Sequence, residues 1–317
     1  MYKDPNGEWV HLVVGAVIGG VMNLAMNFGN VNSFWQGLGY FGIGAVAGAL
    51  SAGIGAGANV AMAGGSFGAG FVGASSVAGV ASTGFSAGFI TGFASGFTGS
   101  FITGAGNTWM QGGSFGDGLF AGLGSGFKSG LMGGITGGVF GGIDAKGKGV
   151  DFWSGEGTFD LSNAYSASGK AIGDKTVTGK YVGTFEGVNV YESKALGDIN
   201  GIDGYSGATL PPRGIVVGKG VYTSGKIAGR AMMQHEYGHI LQYGCVGPKA
   251  YYSIIAPESL ASASMHQKLG WNHDTFWTET WANHLAKGYF GTNWIGGSSY
   301  PVQDISKFNA FRLLWAR

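Results

Sequence analysis

Two kinds of hydrophobic pattern divide the chain near residue 150. Up to that point apolar positions alternate with glycine and alanine rather than with charge, as in GAVIGG, GIGAVAGAL and GGITGGVFGG. Small residues three or four apart let helices approach closely, so this half reads as largely helical. Glycine in a water-exposed helix costs about 1 kcal/mol relative to alanine. Such helices need tight mutual packing or a setting poor in water. Ser-Phe-x-x-Gly recurs at 33–37, 66–70 and 114–118, Ile-Thr-Gly starts at Ile90, Ile102 and Ile135, and GGSFG occurs at 64–68 and 112–116. The offsets are unequal, so the repeat is degenerate and not a strict solenoid. The expectation is a compact spacer of short Gly/Ala hairpins. The same pattern also suits a segment that contacts membranes over residues 9–116.

Beyond residue 150 the periods change. TVTGKYVG (176–183) and FEGVNVYE (185–192) alternate β-branched, aromatic and polar residues, which predicts a hairpin. GIVVGKGVYTS (214–224) predicts another strand or strand pair, after the boundary at Pro211-Pro212. The run that follows is helical, with Ser224 as N-cap, Gly244 just past the end and Pro248 beyond. A second helix is expected within 249–266, interrupted at Pro257, and a third over 276–287. The tail FRLLWAR predicts a final helix.

The pattern thus predicts an α+β chain in three parts. Residues 1–150 form the Gly/Ala-rich region, 151–213 a β-rich connecting segment, and 214–317 a domain with a small sheet and two site-bearing helices. Composition adjusts this picture in three ways. Charged residues are only 11% and net charge is +1, so no nucleic-acid partner is expected. A single cysteine, Cys245, excludes an internal disulfide and a cysteine-based zinc site. The run Leu12–Met22 imitates a signal-peptide core, but Asp4 and Glu8 precede it and no small-x-small cleavage site follows. No run of 18 strongly apolar residues stands out, so a conventional membrane span is not expected.

The chemistry concentrates in QHEYGHILQYG (234–244). His235 and His239 are four apart and share one helical face, about 6 Å between Cβ atoms. Two imidazoles so placed can bind one Zn²⁺. Glu236, rotated by about 100°, reaches a water at the metal without ligating it, as in H-E-x-x-H sites with a glutamate general base. With six His and seven Glu in 317 residues, random placement yields this motif in roughly 0.2–0.3% of such chains. A catalytic zinc needs a third protein ligand and an open position. Glu279 in WTETWANHL is the leading candidate, with Asn283 one turn later placed to hold a ligating imidazole by its other N–H. His273 and His284 are rivals. His273, beside Asp274, is also a candidate oxyanion stabiliser. His266 reads as a surface residue.

HEYGH followed by ETWAN resembles the zincin metallopeptidases, in the branch with a glutamate third ligand. That resemblance covers roughly residues 214–290. It implies His235, His239 and Glu279 as zinc ligands, Glu236 as catalytic base and Asn283 in the place of an orienting acid. Asn stands where that family has Asp, the gap between the two helices is long, and no later His matches the family's usual oxyanion-stabilising residue. The expected activity is hydrolysis of a protein or peptide, held in extended form by a strand at 214–222. A hydrolase acting on a non-peptide amide and a membrane-active protein with an inert zincin-like domain are the alternatives. YKDPNGEW (2–9) is similar to the closing DPxG segment of rearrangement-hotspot (Rhs/YD-repeat) polymorphic toxins, and a Gly-rich region followed by HEYGH and WTETWAN is similar to C-terminal extensions of such proteins in Bacteroidetes. It implies an exported or delivered bacterial effector with an immunity-protein partner.

Overall fold

The Ser-Phe-x-x-Gly copies at 33–37, 66–70 and 114–118 each start a helix, whereas a fourth, at 100–104, lies inside one. The computed structural model describes residues 9–160, 176–202, 204–270 and 272–302. DPNG and FRLLWAR lie outside the described residues. Ser33, Ser66 and Ser114 are N-caps whose hydroxyls accept the N–H groups of Gln36, Ala69 and Asp117. These are donors that the first turn of a helix leaves without a partner. They open α2 (Phe34–Ala63), α3 (Phe67–Val72) and α5 (Phe115–Gly147). At Ser114 the Asp117 carboxylate also accepts the Ser114 N–H at 2.9 Å, completing a capping box. GGSFG is therefore a stop followed by a start. Gly64 (φ +101°) and Gly112 (φ +86°) take backbone conformations that side chains disfavour. The remaining helices of this half are α1 (Val10–Met26) and α4 (Phe85–Met110).

The chain forms two compact units that divide between Glu156 and Gly157. In the first, α1, α2, α4 and α5 are arrayed in chain order, each packing on the next. Phe85, Phe89, Phe93, Phe97 and Phe101 stack along α4 with centroids 5.9–6.2 Å apart. Opposite them α5 presents Gly138, Gly134, Gly130, Gly126 and Gly122, one glycine beneath each ring. Beside that ridge the backbones themselves touch, Gly88 against Gly137 and Gly92 against Gly133. The expected short hairpins are instead helices of 30, 26 and 33 residues in α2, α4 and α5. Glycines four apart line one helical face and are filled by a neighbour, so dispersion contacts offset their entropic cost. By length and composition α2 could also cross a membrane, with a mean hydropathy of 1.5 over 18 residues.

The second unit carries a five-stranded mixed sheet in the order β1-β2-β3-β5-β4. Its strands are β1 (Glu156–Asp160), β2 (Thr176–Phe185), β3 (Val188–Asp198), β4 (Gly207–Leu210) and β5 (Gly214–Lys219). The predicted hairpin is β2–β3, turning at Glu186-Gly187, both with positive φ. β3 runs parallel to β5, and β4 antiparallel to it. The segment 176–210, read from sequence as part of a connecting region, is therefore in one sheet with 214–219. β5 is paired on both sides, so among the described residues the outer edge beside the helices belongs to β4. This corrects the expectation that 214–222 would hold a peptide.

Three helices follow. α6 (Ile227–Ala250) begins three residues after Ser224, whose hydroxyl accepts the Lys226 N–H in the turn before it. It runs past Gly244 and breaks at Gly247 (φ +78°, ψ 169°). A π-helical turn, Tyr251–Ile255, leads into α7 (Ala256–Leu269). Pro257 opens α7 rather than interrupting it, because a first-turn residue needs no N–H partner. α8 (Trp277–Phe290) is the predicted third helix, three residues longer at its end.

The glycine ridge makes opposite predictions for one substitution at two sites. A Cβ at Gly92 would collide with the Gly133 carbonyl, whereas Gly124 on α5 has open space. Gly92→Ala is expected to lower stability by about 1–3 kcal/mol by overpacking. Gly124→Ala is expected to raise it by up to about 1 kcal/mol. The helical circular-dichroism signal during denaturant unfolding of the full chain checks both.

Candidate metal centre

α6 carries His235, Glu236 and His239, and α8 carries Glu279 and Asn283. The two helices meet at the fourth residue of HEYGH. A Cβ on Gly238 would strike the Ala282 carbonyl, so only glycine lets the backbones come this close. Gln234 fastens the turn after α8 to α6, donating to Asn293 O at 2.8 Å and accepting from Ile295 N at 2.9 Å. Trp277 Nε1 donates to Glu258 Oε2 at 2.7 Å and ties α8 to α7.

The approach brings three donors together. His235 Nε2 and His239 Nε2 lie 3.3 and 3.2 Å from Glu279 Oε2. Nε2 of both histidines and the carboxylate fall within 4.8 Å of one another, so the group could hold a metal ion. For bonds of about 2.0–2.1 Å, tetrahedral ligands stand about 3.3 Å apart, which the two distances match. Outer partners fix which ring nitrogen faces inward. Asn283 Nδ2 donates to Pro301 O, so its Oδ1 is the acceptor for His235 Nδ1–H at 2.7 Å. Gln242 Nε2 donates to Thr278 O, so its Oε1 accepts His239 Nδ1–H at 2.8 Å. Nε2 of each histidine is then the nitrogen turned towards a cation. Glu279 keeps its other oxygen, Oε1, as acceptor for the Thr278 hydroxyl at 2.7 Å.

Glu236 is buried beside this group and takes no part in it. Thr209 Oγ1, on β4, donates to its Oε2 at 2.7 Å. Oε1 lies over the bare Cα of Gly207, where a side chain would displace it. Glu236, Thr209, Gly207 and the three donors line one cleft of about 540 Å³, walled by β4, α6 and α7. His273 lines it too. Its Nδ1 pairs with the Ser262 hydroxyl at 2.9 Å, and its Nε2 stands 3.7 Å from Glu279 Oε2, farther than the two ligand candidates. Ser262, not Asp274, is thus the partner that orients His273. His266 is exposed at the cleft margin, and His284 does not line it. Tyr300 lays its ring against His235 with centroids 5.0 Å apart.

Charge in the cleft is strongly coupled. Burial opposes a proton on His239, but the Glu279 and Glu236 carboxylates and Gln242 outweigh it and raise the pKa to about 9. Burial would raise Glu279, yet His239 and His235 hold it well below the usual carboxylate range. Burial lowers His273 against the pull of Glu279 and Asp274, which keeps it neutral near pH 7.

Comparison with known protein families, with curated proteins and with solved structures finds no match for this chain. What the site does is therefore argued from its own geometry. Sequence reasoning named the five residues of the two helices. It missed Thr209, Ser262 and Tyr300, which reach the cleft from distant segments. It also missed Gln242, whose place three residues after His239 was a usable signal.

Protonation gives a directional prediction. In the metal-free chain the His239 proton contributes stability that is complete below about pH 6.5 and is lost as pH rises through about 9. Ionised Glu279 contributes above the ordinary carboxylate range, and that contribution is lost as pH falls through its depressed value. A cation must displace the His239 proton, so affinity is expected to tighten about tenfold per pH unit between about 6.5 and 9. Chelator-competition titrations at pH 6.5, 7.5 and 8.5 check it, and a flat profile contradicts the assignment.

Proposed function

We propose that the chain is a zinc-dependent metallopeptidase, with His235, His239 and Glu279 as ligands and Glu236 as general base. The observation that carries this reading is the seating of Glu236. A buried carboxylate opens on the same cleft as a two-histidine, one-glutamate donor set but stands outside that set. Nitrogen and carboxylate donors without thiolate suit zinc among the common metals. A zinc ion there would supply Lewis-acid polarisation of a water and of a scissile carbonyl.

The chain's own groups do the rest. Glu236 takes the proton of the attacking water on Oε1, the oxygen that Thr209 leaves free, and passes it to the leaving amine nitrogen. His273, in the tautomer whose Nδ1 accepts the Ser262 hydroxyl proton, would donate its Nε2–H to the developing oxyanion. The edge strand β4 borders the cleft and suits an extended peptide, which would add to it by main-chain pairing. The Tyr251 hydroxyl approaches Thr209 O at 3.4 Å, and the Tyr252 hydroxyl donates to Pro211 O. A bound backbone would exchange with these two contacts. An exported effector role with an immunity partner belongs to the same proposal and rests on the resemblance carried by DPNG and by the layout of the chain.

Glu236→Gln is expected to retain stoichiometric metal and to lose about 10²–10⁴ in kcat against a quenched-fluorescence peptide library. Full activity in that variant rules Glu236 out as base. His273→Asn is expected to lower kcat by about 10²-fold with little change in KM. A change confined to KM would remove His273 from oxyanion stabilisation.

A further inference from the structure

The Met1–Glu156 unit inverts the arrangement of a helical domain that folds in water. Such domains bury large aliphatic and aromatic side chains between layers and leave charge outside. On α5 the buried residues are seven glycines and Ala145. The large side chains are outside, as in Val17 at 53% exposure on α1, Trp35 at 75% on α2, and Phe120 and Phe140 at 76% and 67% on α5.

Polar groups point the other way. Asn23 donates to Tyr40 O at 2.7 Å and pairs with Asn107, joining α1, α2 and α4 internally. The hydroxyls of Ser95, Thr98, Thr103 and Thr108 donate to carbonyls one turn back on α4, at 2.8–3.0 Å. These pairings need no water, as a low-dielectric setting requires.

Charge follows the same rule. From Trp9 to Gly116 there is no Asp, Glu, Lys or Arg. On α5, Asp117 lies in the first turn, and Asp144 and Lys146 lie near the end. Only Lys128 falls between them, exposed and about 16 Å of helix from Asp117. Its long apolar stem can carry the ammonium towards that end. The 30, 26 and 33 residues of α2, α4 and α5 give lengths of about 45, 39 and 50 Å, against a hydrocarbon core of about 30 Å.

We infer that this unit inserts into the hydrocarbon of a lipid bilayer, with its glycine-lined faces turned inward and its aliphatic and aromatic faces towards lipid. A protein partner would cover about 800 Å² of one side and leave the remainder to water, which requires charge. Residues 9–116 offer none on any helix, so the surrounding medium as a whole has to be apolar. The inference concerns the unit without the metal centre and stands independently of the peptidase reading.

The test uses the full chain and phosphatidylcholine vesicles. The chain is expected to float with the vesicles at high salt and to resist alkaline extraction. Val17→Cys and Phe140→Cys, each combined with Cys245→Ser, give single cysteines at exposed apolar positions. With vesicles present, both should react with a water-soluble maleimide about tenfold or more slowly than the exposed Cys245 of the unaltered chain. A chain that stays in solution with both cysteines reacting as fast as Cys245 overturns the inference. So does vesicle binding abolished by salt. A soluble defined oligomer with protected cysteines overturns it as well, because a second copy, and not lipid, would then cover these faces.

Discussion

Where Gly238 faces the Ala282 carbonyl, two helix backbones stand at contact distance, and the geometry of the cleft follows from that approach. At an ordinary side-chain-mediated separation, Glu279 would sit too far from His235 and His239 for one cation to bind all three. The same device builds the first unit, where Gly88 and Gly92 meet Gly137 and Gly133. In both places glycine is used as an absence, giving a neighbouring backbone the space that a Cβ would fill. In the second unit the space brings together three groups that could hold a metal ion. In the first it brings long helices together without a core of large side chains.

The hydrogen bonds around the donors turn proximity into a specific protonation pattern. Asn283 is a neutral substitute where a carboxylate would be the stronger acceptor, yet its amide orientation is fixed by donation to Pro301 O. It can therefore still hold the His235 N–H. Gln242 plays the matching part for His239. Both outer partners are uncharged, so the net charge of the site is set by Glu279 and by Glu236. That leaves His239 strongly basic until a cation replaces its proton. Thr209 and Gly207 bring the edge strand into the site, because one donates to Glu236 and the other makes room for it.

Local pattern was enough to read what lies within one helix or one hairpin. The H-E-x-x-H face, the Glu279–Asn283 turn and the β2–β3 hairpin all depend on periods of 3.6 or 2, which show in a single segment. Helix ends were less legible. Ser224 and Gly244 looked like terminal signals, but the helix starts later and continues to the kink at Gly247, because tertiary packing overrides local preference. In the glycine-rich half, Ser-Phe-x-x-Gly was visible as a repeat, but its meaning as a capped helix start at 33–37, 66–70 and 114–118, and not at 100–104, was hidden. The length of those helices was hidden for a physical reason, since propensity counts glycine as a breaker when no neighbour is known to fill its face. Strand order was out of reach, and with it the free edge at β4. Local sequence does not say that β4 lies outside β5, nor that Ser262 and Tyr300 come to the cleft.

Metal-edge X-ray absorption of the chain loaded with one equivalent of zinc tests the central claim most directly, because it counts imidazoles at the ion. The account predicts two imidazole nitrogens at about 2.0–2.1 Å, with the remaining ligands oxygen. Loss of one imidazole is expected in His235→Ala and none in His273→Asn. A third imidazole in the unaltered chain, or a sulfur ligand from Cys245, would contradict it.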